Sequence, residues 1–267
     1  MGFPTVTSAS TNVRGVTVSR SSNARTAIVT GASKGLGAGI AEALAGTGAA
    51  VVVNYREDAK GAERVVAGIT ANGGRAVAVR ADVARSDDVR HLFARAREEY
   101  GPVDVLVNNA AVAAFAPLSG ITEEEFQREM TTNLLGTILT TQALAAQDDI
   151  GAASIINVST AGTLTHPTYA SLYVASKSAV NAFTIVAAKE LGPRGIRVNA
   201  IMPGPSDTEG TRAMGFPGSA QEAQAIAGTP LGRTGTPADY GPLVAFLASD
   251  DARWITGDVI LASGGMR

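Results

Sequence analysis

Short apolar runs alternate with helical patterns along most of the chain, and this alternation limits the possible folds more than any other feature. The runs are continuous rather than alternating, as in parallel strands that are covered on both faces. Parallel neighbours need right-handed crossovers, which the intervening helices supply. The sequence therefore predicts an α/β fold, a single-domain doubly wound parallel sheet (Rossmann) with helices on both faces. The predicted strands lie near residues 26–30, 50–54, 75–79, 103–107, 154–158, 197–201 and 259–262.

The predicted helices begin close to capping side chains or a first-turn proline. Ser, Thr and Asp side chains accept bonds from the free N–H groups of a first turn, and proline suits the first helical position. Thr122 and Glu125 have the spacing of a capping box. The predicted starts lie near Ser33, Asp58, Ser86, Thr122, Tyr169 and Pro237.

Length and composition fit one domain and a separate tail. The chain has 267 residues, of which 45% are hydrophobic and 17% charged, enough for one α/β domain with a buried core. We assign residues 25–267 to this domain. Residues 1–24 are rich in Ser, Thr, Asn and Gly and contain no acid, which predicts a flexible N-terminal tail. An organellar transit peptide has a similar composition, so that alternative stays open.

Charge and cysteine content argue against several classes of partner. The formal net charge is −2 and no basic stripe is interleaved with aromatics, so we expect no nucleic acid partner. No apolar run in the sequence is long enough to span a bilayer, so we expect no membrane partner. The chain has no cysteine, and its histidines, His91 and His166, are far apart, so we expect no metal site. The lack of cysteine is compatible with a reducing compartment, and we expect a cytoplasmic protein.

A glycine-rich turn joins the first predicted strand to the first predicted helix. Gly31, Gly35 and Gly37 have the spacing Gly-x-x-x-Gly-x-Gly. Gly31 allows a tight turn, Gly35 lets the backbone approach a pyrophosphate, and Gly37 permits close packing of helix on strand. The N-terminus of the helix would point at the anion. The turn predicts a phosphate-binding loop, although a glycine-rich turn by itself is often only a turn.

Tyr173 and Lys177 are four residues apart, which is about one turn of a helix. A free tyrosine has a pKa of about 10, and a cation fixed beside it favours the phenolate and lowers that pKa. Tyr173 is therefore a candidate general acid and base. On spacing alone, a core tyrosine followed by a solvated lysine remains the alternative.

Taken together, the glycine spacing and the Tyr-x-x-x-Lys pair resemble the short-chain dehydrogenase/reductase family. The chain resembles in particular its 3-oxoacyl-(acyl carrier protein) reductase and glucose 1-dehydrogenase-like members, over residues 25–267. The resemblance implies hydride transfer between a nicotinamide coenzyme and a carbonyl or alcohol, and assembly as a homotetramer. Further matches in the family order are Asp82-Val83, Asn108-Asn109-Ala110, Asn133, and Pro203-Gly204 followed by Thr208.

The resemblance implies roles for particular side chains. Tyr173 and Lys177 would form the catalytic pair, and Asn133 would organise a water relay behind the lysine. A third hydroxyl, Ser159 or Thr160, would bind the substrate oxygen, and we favour Thr160 because a β-branched side chain restricts its hydroxyl. The implied coenzyme contacts are Gly31, Ser33, Lys34, Gly35, Leu36, Gly37, Asn54, Tyr55, Arg56, Asp82, Val83, Asn109, Ala110, Tyr173, Lys177, Pro203, Gly204 and Thr208.

The end of the second strand indicates which coenzyme is preferred. An acid there would bind the adenosine ribose of NAD, whereas a basic group accommodates the 2′-phosphate of NADP. The strand ends in Asn54, Tyr55 and Arg56 without an acid, and Lys34 lies in the glycine loop. We therefore expect NADP(H) to be preferred, with NAD(H) possible. Glu57 is interpreted as an acid at the N-terminus of the next helix.

Substrate identity is less constrained by the sequence. Residues 205–229 contain several glycines, as a mobile lid would, and Met214, Phe216, Phe115 and Tyr169 suggest an apolar pocket. The predicted function is that of an NADP-dependent ketoreductase acting on a small-molecule ketone, a 3-oxoacyl group or the corresponding alcohol. The alternatives are a non-catalytic NADP-binding sensor or scaffold and a sugar dehydrogenase of the same fold, in which Arg212 could contact an anion.

Overall fold

The computed structural model describes residues 25–267, so the predicted tail of residues 1–24 lies outside the described residues. Seven strands form one sheet, and every neighbouring pair is parallel. The strands are β1 (Thr26–Val29), β2 (Ala50–Tyr55), β3 (Arg75–Arg80), β4 (Val105–Asn108), β5 (Ala153–Val158), β6 (Ile196–Pro203) and β7 (Val259–Ala262). Their order is β3-β2-β1-β4-β5-β6-β7, which confirms the predicted doubly wound sheet.

Helices connect the strands and cover both faces of the sheet. Among residues 25–267, no helix is long and apolar enough to cross a membrane. The α-helices are α1 (Gly35–Gly46), α2 (Ala59–Ala71), α3 (Ser86–Tyr100), α4 (Glu123–Met130), α5 (Gly136–Ala145), α6 (Gly162–Thr165), α7 (Ser171–Leu191), α8 (Glu209–Ala213), α9 (Ala220–Ala227) and α10 (Pro237–Ala248).

Two predicted helix starts are two residues early. α1 begins at Gly35 rather than Ser33, because Gly31 has a φ of 60° and the turn continues to Lys34. α7 begins at Ser171 rather than Tyr169, because Tyr169 has a φ of 65°, in the left-handed region. The predicted capping box at Thr122 is half present, since the Thr122 hydroxyl accepts from the Glu125 N–H at 3.1 Å.

Several elements were not predicted. A π-helical turn (Thr131–Leu135) joins α4 to α5, and the predicted lid over residues 205–229 contains α8 and α9. α8 begins at a Thr208 cap whose side chain and that of Thr211 bond reciprocally to the backbone. The lid is therefore partly helical between its glycines.

Two apolar layers lie on the two faces of the sheet. Neighbouring residues of one strand point to opposite faces, so Ile28 packs towards α3, α5 and α7, while Ala27 and Val29 pack towards α1, α2 and α10. β1, β4 and β5 are buried along their whole length. Both faces are thus occupied, and the carboxyl ends of the strands are left to form the binding crevice.

Helix α1 lies unusually close to the loop that precedes it. A Cβ added to Gly37 would lie 2.5 Å from Asn109 Nδ2 and 2.7 Å from the Gly31 carbonyl oxygen. Gly46, at the other end of the same helix, has no atom within 4 Å of such a Cβ. The first position has no room for a methyl group, whereas the second is open.

We therefore predict opposite effects for one substitution at the two ends of α1. Gly37→Ala should destabilise the fold by about 1–3 kcal/mol, because the backbone and Asn109 must move apart. Gly46→Ala should be neutral or stabilising by up to about 1 kcal/mol, because alanine favours the helix. Urea unfolding of both variants measures the difference, and equal free energies of unfolding would contradict the packing argument.

Candidate active site

The glycine loop is held in place by two asparagine side chains. Asn54, at the end of β2, accepts from the Gly31 N–H at 3.2 Å and donates to the Ala81 carbonyl at 3.0 Å. Asn109 donates to the carbonyls of Thr30 and Gly31 at 2.9 and 3.0 Å. Asn54, predicted as a coenzyme contact, thus uses its side chain to tie the loop to the sheet.

The turn after β4 packs directly on the loop. The Thr30 hydroxyl accepts from the N–H groups of Asn109 and Ala110 at 2.9 and 3.0 Å. A Cβ on Gly31 would lie 2.8 Å from the Cα of Ala110. Gly31 therefore meets both demands that favour glycine, a positive φ and a close backbone neighbour.

An anion already lies at the N-terminus of α1. The carboxylate of Glu209, from the start of α8, accepts from the Gly35 N–H at 2.9 Å. A helix N-terminus stabilises negative charge because its first N–H groups have no partner within the helix. The Gly35 N–H is therefore directed at an anion, which is the chemistry that binding of a pyrophosphate would need.

A polar pocket of about 710 Å³ lies beside the ends of β2 and β3. Arg56 contributes one exposed guanidinium and pairs with Glu57 at 2.8 Å. Arg80, which is in register with Tyr55, contributes a second exposed guanidinium. Its Nε donates to the Arg56 backbone carbonyl at 3.1 Å. The lining residues are Arg56, Glu57, Arg80, Asp82, Arg85, Asp88 and His91.

Glu57 does not act as the predicted acid of a helix N-terminus. Asp58 caps α2, accepting from the Gly61 N–H at 2.9 Å, while Glu57 lies one residue earlier and pairs with Arg56. The prediction was wrong because the helix begins one residue further on, at Ala59. Arg80 was missed, although a basic residue ending the strand next to β2 was a usable signal.

Tyr173 and Lys177 lie on one face of α7, but their electrostatics differ from the prediction. Burial raises the pKa of Tyr173 to about 12, the Thr160 hydroxyl lowers it in part, and the charge of Glu129 raises it further. Burial lowers the pKa of Lys177 to about 8. The Lys177 ammonium donates to the Val158 carbonyl at 2.7 Å. The expected net lowering of the tyrosine pKa is therefore wrong for this structure, because burial outweighs the contributions that lower it.

The two candidate hydroxyls after β5 point in different directions. Ser159 is 3% exposed and donates to the Lys177 carbonyl at 3.3 Å, so it is directed at the backbone of α7. Thr160 interacts with the Tyr173 phenol and accepts from the Gly162 N–H at 3.1 Å. Thr160 is the hydroxyl that faces the tyrosine.

Asn133 lies in the π-helical turn and is fully buried. Its side chain accepts from the Val112 N–H and donates to the Val112 carbonyl, both at 2.9 Å, and donates to Ser176 at 3.0 Å. The backbone carbonyl of Asn133 accepts from the Thr137 hydroxyl at 2.9 Å. Asn133 thus fixes the segment after β4 to the helix that carries Tyr173.

Large apolar side chains are exposed on the segments that follow the carboxyl ends of β4, β5 and β6. Phe115 is 57% exposed, and its ring lies 6.0 Å from that of Tyr173. Tyr169 and Met214 are 62% and 64% exposed. Arg212, considered for an anion, is paired with Asp207 at 2.7 and 2.9 Å.

The other predicted coenzyme contacts follow the same strand ends. Val83 packs under α5, where a Cβ on Gly136 would lie 2.8 Å from it, and Gly204 abuts Ser263 after β7. Lys34 is exposed in the glycine loop. The strand ends and the loop carry the remaining ones, Ser33, Leu36, Tyr55, Asp82, Pro203 and Thr208.

Comparisons with known proteins agree with this geometry. The family model described as enoyl-(acyl carrier protein) reductase matches residues 31–267. An uncharacterized oxidoreductase of Methylorubrum extorquens is 51% identical over 219 residues, covering 82% of this chain and 88% of the relative. A hydroxynaphthalene reductase-like protein of Metarhizium majus is 38% identical over 227 residues, covering 81% and 85%.

A solved structure supports the same assignment. The short-chain dehydrogenase of Burkholderia cenocepacia, in complex with NADP, superposes with a TM-score of 0.85 at 35% identity, covering 91% of this chain and 98% of that one. The glycine loop, the parallel sheet and the Tyr173–Lys177 pair, together with these likenesses, identify the chain as a member of the short-chain dehydrogenase/reductase family of oxidoreductases.

Proposed function

We propose that the protein transfers hydride between NADP(H) and a small apolar carbonyl or alcohol, of the ketone or 3-oxoacyl type. The observation that carries the proposal is the hydrogen bond between the Tyr173 phenol and the Thr160 hydroxyl, which follows β5, with Lys177 one turn further along α7. A general acid, a second hydroxyl and a buried cation are the groups that such a transfer requires.

The residues that would hold the coenzyme fit its charges. The Gly35 N–H already donates to an anion, Arg56 and Arg80 line a polar pocket that suits a 2′-phosphate, and Lys34 is exposed in the glycine loop. NADP is the coenzyme in the Burkholderia cenocepacia relative. When bound, the nicotinamide supplies or accepts the hydride.

Tyr173, Thr160 and Lys177 would have different roles in proton transfer. A pKa of about 12 keeps Tyr173 protonated at neutral pH, so its Oη holds the proton that a reduced substrate oxygen needs. Thr160 Oγ1 can donate to that oxygen and orient it. Lys177, with a pKa of about 8, is largely charged at neutral pH and would stabilise the tyrosinate that remains after proton transfer.

The segments after the carboxyl ends of β4, β5 and β6 favour an apolar substrate. Phe115, Tyr169 and Met214 expose large apolar surfaces there, and Arg212 is engaged by Asp207 rather than free to bind an anion. The name of the Metarhizium majus relative points to reduction of a hydroxynaphthalene, a flat aromatic substrate. Ketones and 3-oxoacyl thioesters therefore lead the proposed substrates, ahead of sugars.

Removing the phenol hydroxyl is the first test. Tyr173→Phe should lower kcat by about 10²-fold or more, because the general acid is lost, while coenzyme binding persists. Coenzyme-coupled absorbance over a panel of ketones, 3-oxoacyl thioesters and sugars measures turnover, and fluorescence titration measures NADPH binding. Tyr169→Phe, which removes the hydroxyl of an exposed tyrosine in the loop before α7, is the control and should keep most activity. Full activity in Tyr173→Phe would contradict the proposal, and NADPH binding by the wild type without any turnover would favour a sensor.

Substitutions at the carboxyl ends of β2 and β3 test the coenzyme preference. Arg56→Ala and Arg80→Ala should each weaken NADP roughly tenfold or more and leave NAD nearly unchanged, since a charge-assisted bond contributes about 1.5–3 kcal/mol. Arg253→Ala, in a cleft at the opposite ends of the strands, is the matched control. Calorimetric titration of both coenzymes gives the ratio, and equal weakening of NADP and NAD would refute this assignment.

A homotetramer is the proposed assembly. On the outer faces of α7 and of the segment after α10, Ile185, Val186 and Trp254 are 41%, 52% and 96% exposed, which suits burial against other subunits. Light scattering should give four times the chain mass, and a monomer mass across working concentrations would rule the assembly out. The cytoplasmic location stays a prediction from the sequence.

A further inference from the structure

Glu129 is a buried acid with no part in the proton transfer proposed for Tyr173, Thr160 and Lys177. It lies one residue before the end of α4 and is 0% exposed; Lys177, at 3%, is the other buried charged side chain within residues 25–267. Its Oε1 accepts from the Ala114 N–H, and its Oε2 has no hydrogen-bond partner among those residues. Burial raises its pKa above the usual value for glutamate. A carboxylate in such surroundings is costly, so its position calls for an explanation.

Glu129 and Asn133 together hold the segment that follows β4. They are four residues apart, so they share one helical face. Asn133 bonds both backbone groups of Val112, and Glu129 bonds the N–H of Ala114, two residues further along. The helix face thereby provides hydrogen-bond partners to an extended segment as a neighbouring strand would.

The segment held by Glu129 carries an aromatic side chain that packs on Tyr173. Phe115 follows Ala114 directly, and its ring packs at 6.0 Å from that of Tyr173 with the planes tilted by 58°. Ala116 donates to the Tyr169 carbonyl at 2.9 Å, which ties the segment to the loop before α7. The Glu129 contact is thus one residue away from the aromatic side chain that covers Tyr173.

Glu129 also acts on Tyr173 through its charge. The charged group that acts on the phenol is Glu129 from α4, while Arg128 and Glu125 act on Glu129 along α4. On α7 itself, the Lys177 ammonium donates to the Val158 carbonyl. From β5 the phenol is faced by the uncharged Thr160. A negative charge near a phenol disfavours the phenolate.

We infer that Glu129 is a positioning residue for Tyr173, whose carboxylate anchors the segment that holds Phe115 against the phenol ring. This inference rests on the proposed function, because it concerns the proton chemistry assigned to Tyr173. Reduction needs the protonated phenol and oxidation needs the phenolate. The charge of Glu129 disfavours the phenolate and therefore raises the pH at which alcohol oxidation sets in.

Two variants separate the two effects. Glu129→Gln keeps the size of the side chain and an oxygen for the Ala114 N–H but removes the charge. Its pH profile of alcohol oxidation should shift to lower pH, because the phenolate forms more readily without the negative charge. Glu129→Met removes both the charge and the acceptor, so it should also raise the substrate KM by roughly threefold or more, since Phe115 loses its anchor. Glu124→Gln, an exposed charge on the same helix, is the control.

The pH profile distinguishes this role from a purely structural one. At acidic pH Glu129 is itself protonated and neutral, so the Glu129→Gln variant and the wild type should converge there and diverge as the pH rises. A structural role would lower both directions at every pH. Identical oxidation profiles in wild type and Glu129→Gln, with both folded by circular dichroism, would overturn the inference.

A second measurement does not depend on turnover. Ultraviolet titration of each protein against its own Tyr173→Phe counterpart follows the one tyrosinate, which should appear at lower pH in Glu129→Gln than in the wild type. If the wild type reduced no carbonyl, the proposed function would fail while this titration still decided the role of Glu129. Coincident tyrosinate curves would refute the charge effect in either case.

Discussion

A buried chain of polar side chains fixes the sheet to the helices that carry the site. Asn108 of β4 donates to Asn157 of β5 at 2.9 Å, Asn157 donates to Thr184 of α7 at 2.8 Å, and Thr140 of α5 donates to Asn108 at 2.6 Å. The two asparagines are 5% and 0% exposed, so any slip in strand register would leave an amide unpaired in the core. The network fixes the position of α7, and therefore of Tyr173, relative to the carboxyl ends of the strands.

Most of the fold could be predicted from the sequence because the strands are continuously apolar and several helices begin at recognisable caps. The failures share a physical cause. The π-helical turn between α4 and α5 was not predicted, because the partners of Asn133 in that turn, Val112 and Ser176, are distant in sequence. The start of α7 was misplaced because the left-handed Tyr169 is stabilised by a bond to Ala116, which is distant in sequence.

The site could be predicted only in part. Four-residue spacing places Tyr173 and Lys177 on one helical face, but spacing carries no information about burial, so the sign of the tyrosine pKa shift was missed. The bond between Glu209 and Gly35 joins residues far apart in the chain, and the contact of Glu129 with Ala114 depends on how α4 packs. Such contacts arise from tertiary structure and leave no local pattern.

The Glu209 contact has a consequence for the order of events at the crevice. One N–H group at the start of α1 cannot serve a carboxylate and a phosphate at once, so a phosphate that bound at Gly35 would displace Glu209 and break this contact of α8. If a substrate held α8 away from Gly35, the phosphate would no longer compete with the carboxylate, and by thermodynamic linkage its affinity would rise. Coenzyme and substrate would then strengthen each other's binding through α8, in addition to their direct contact.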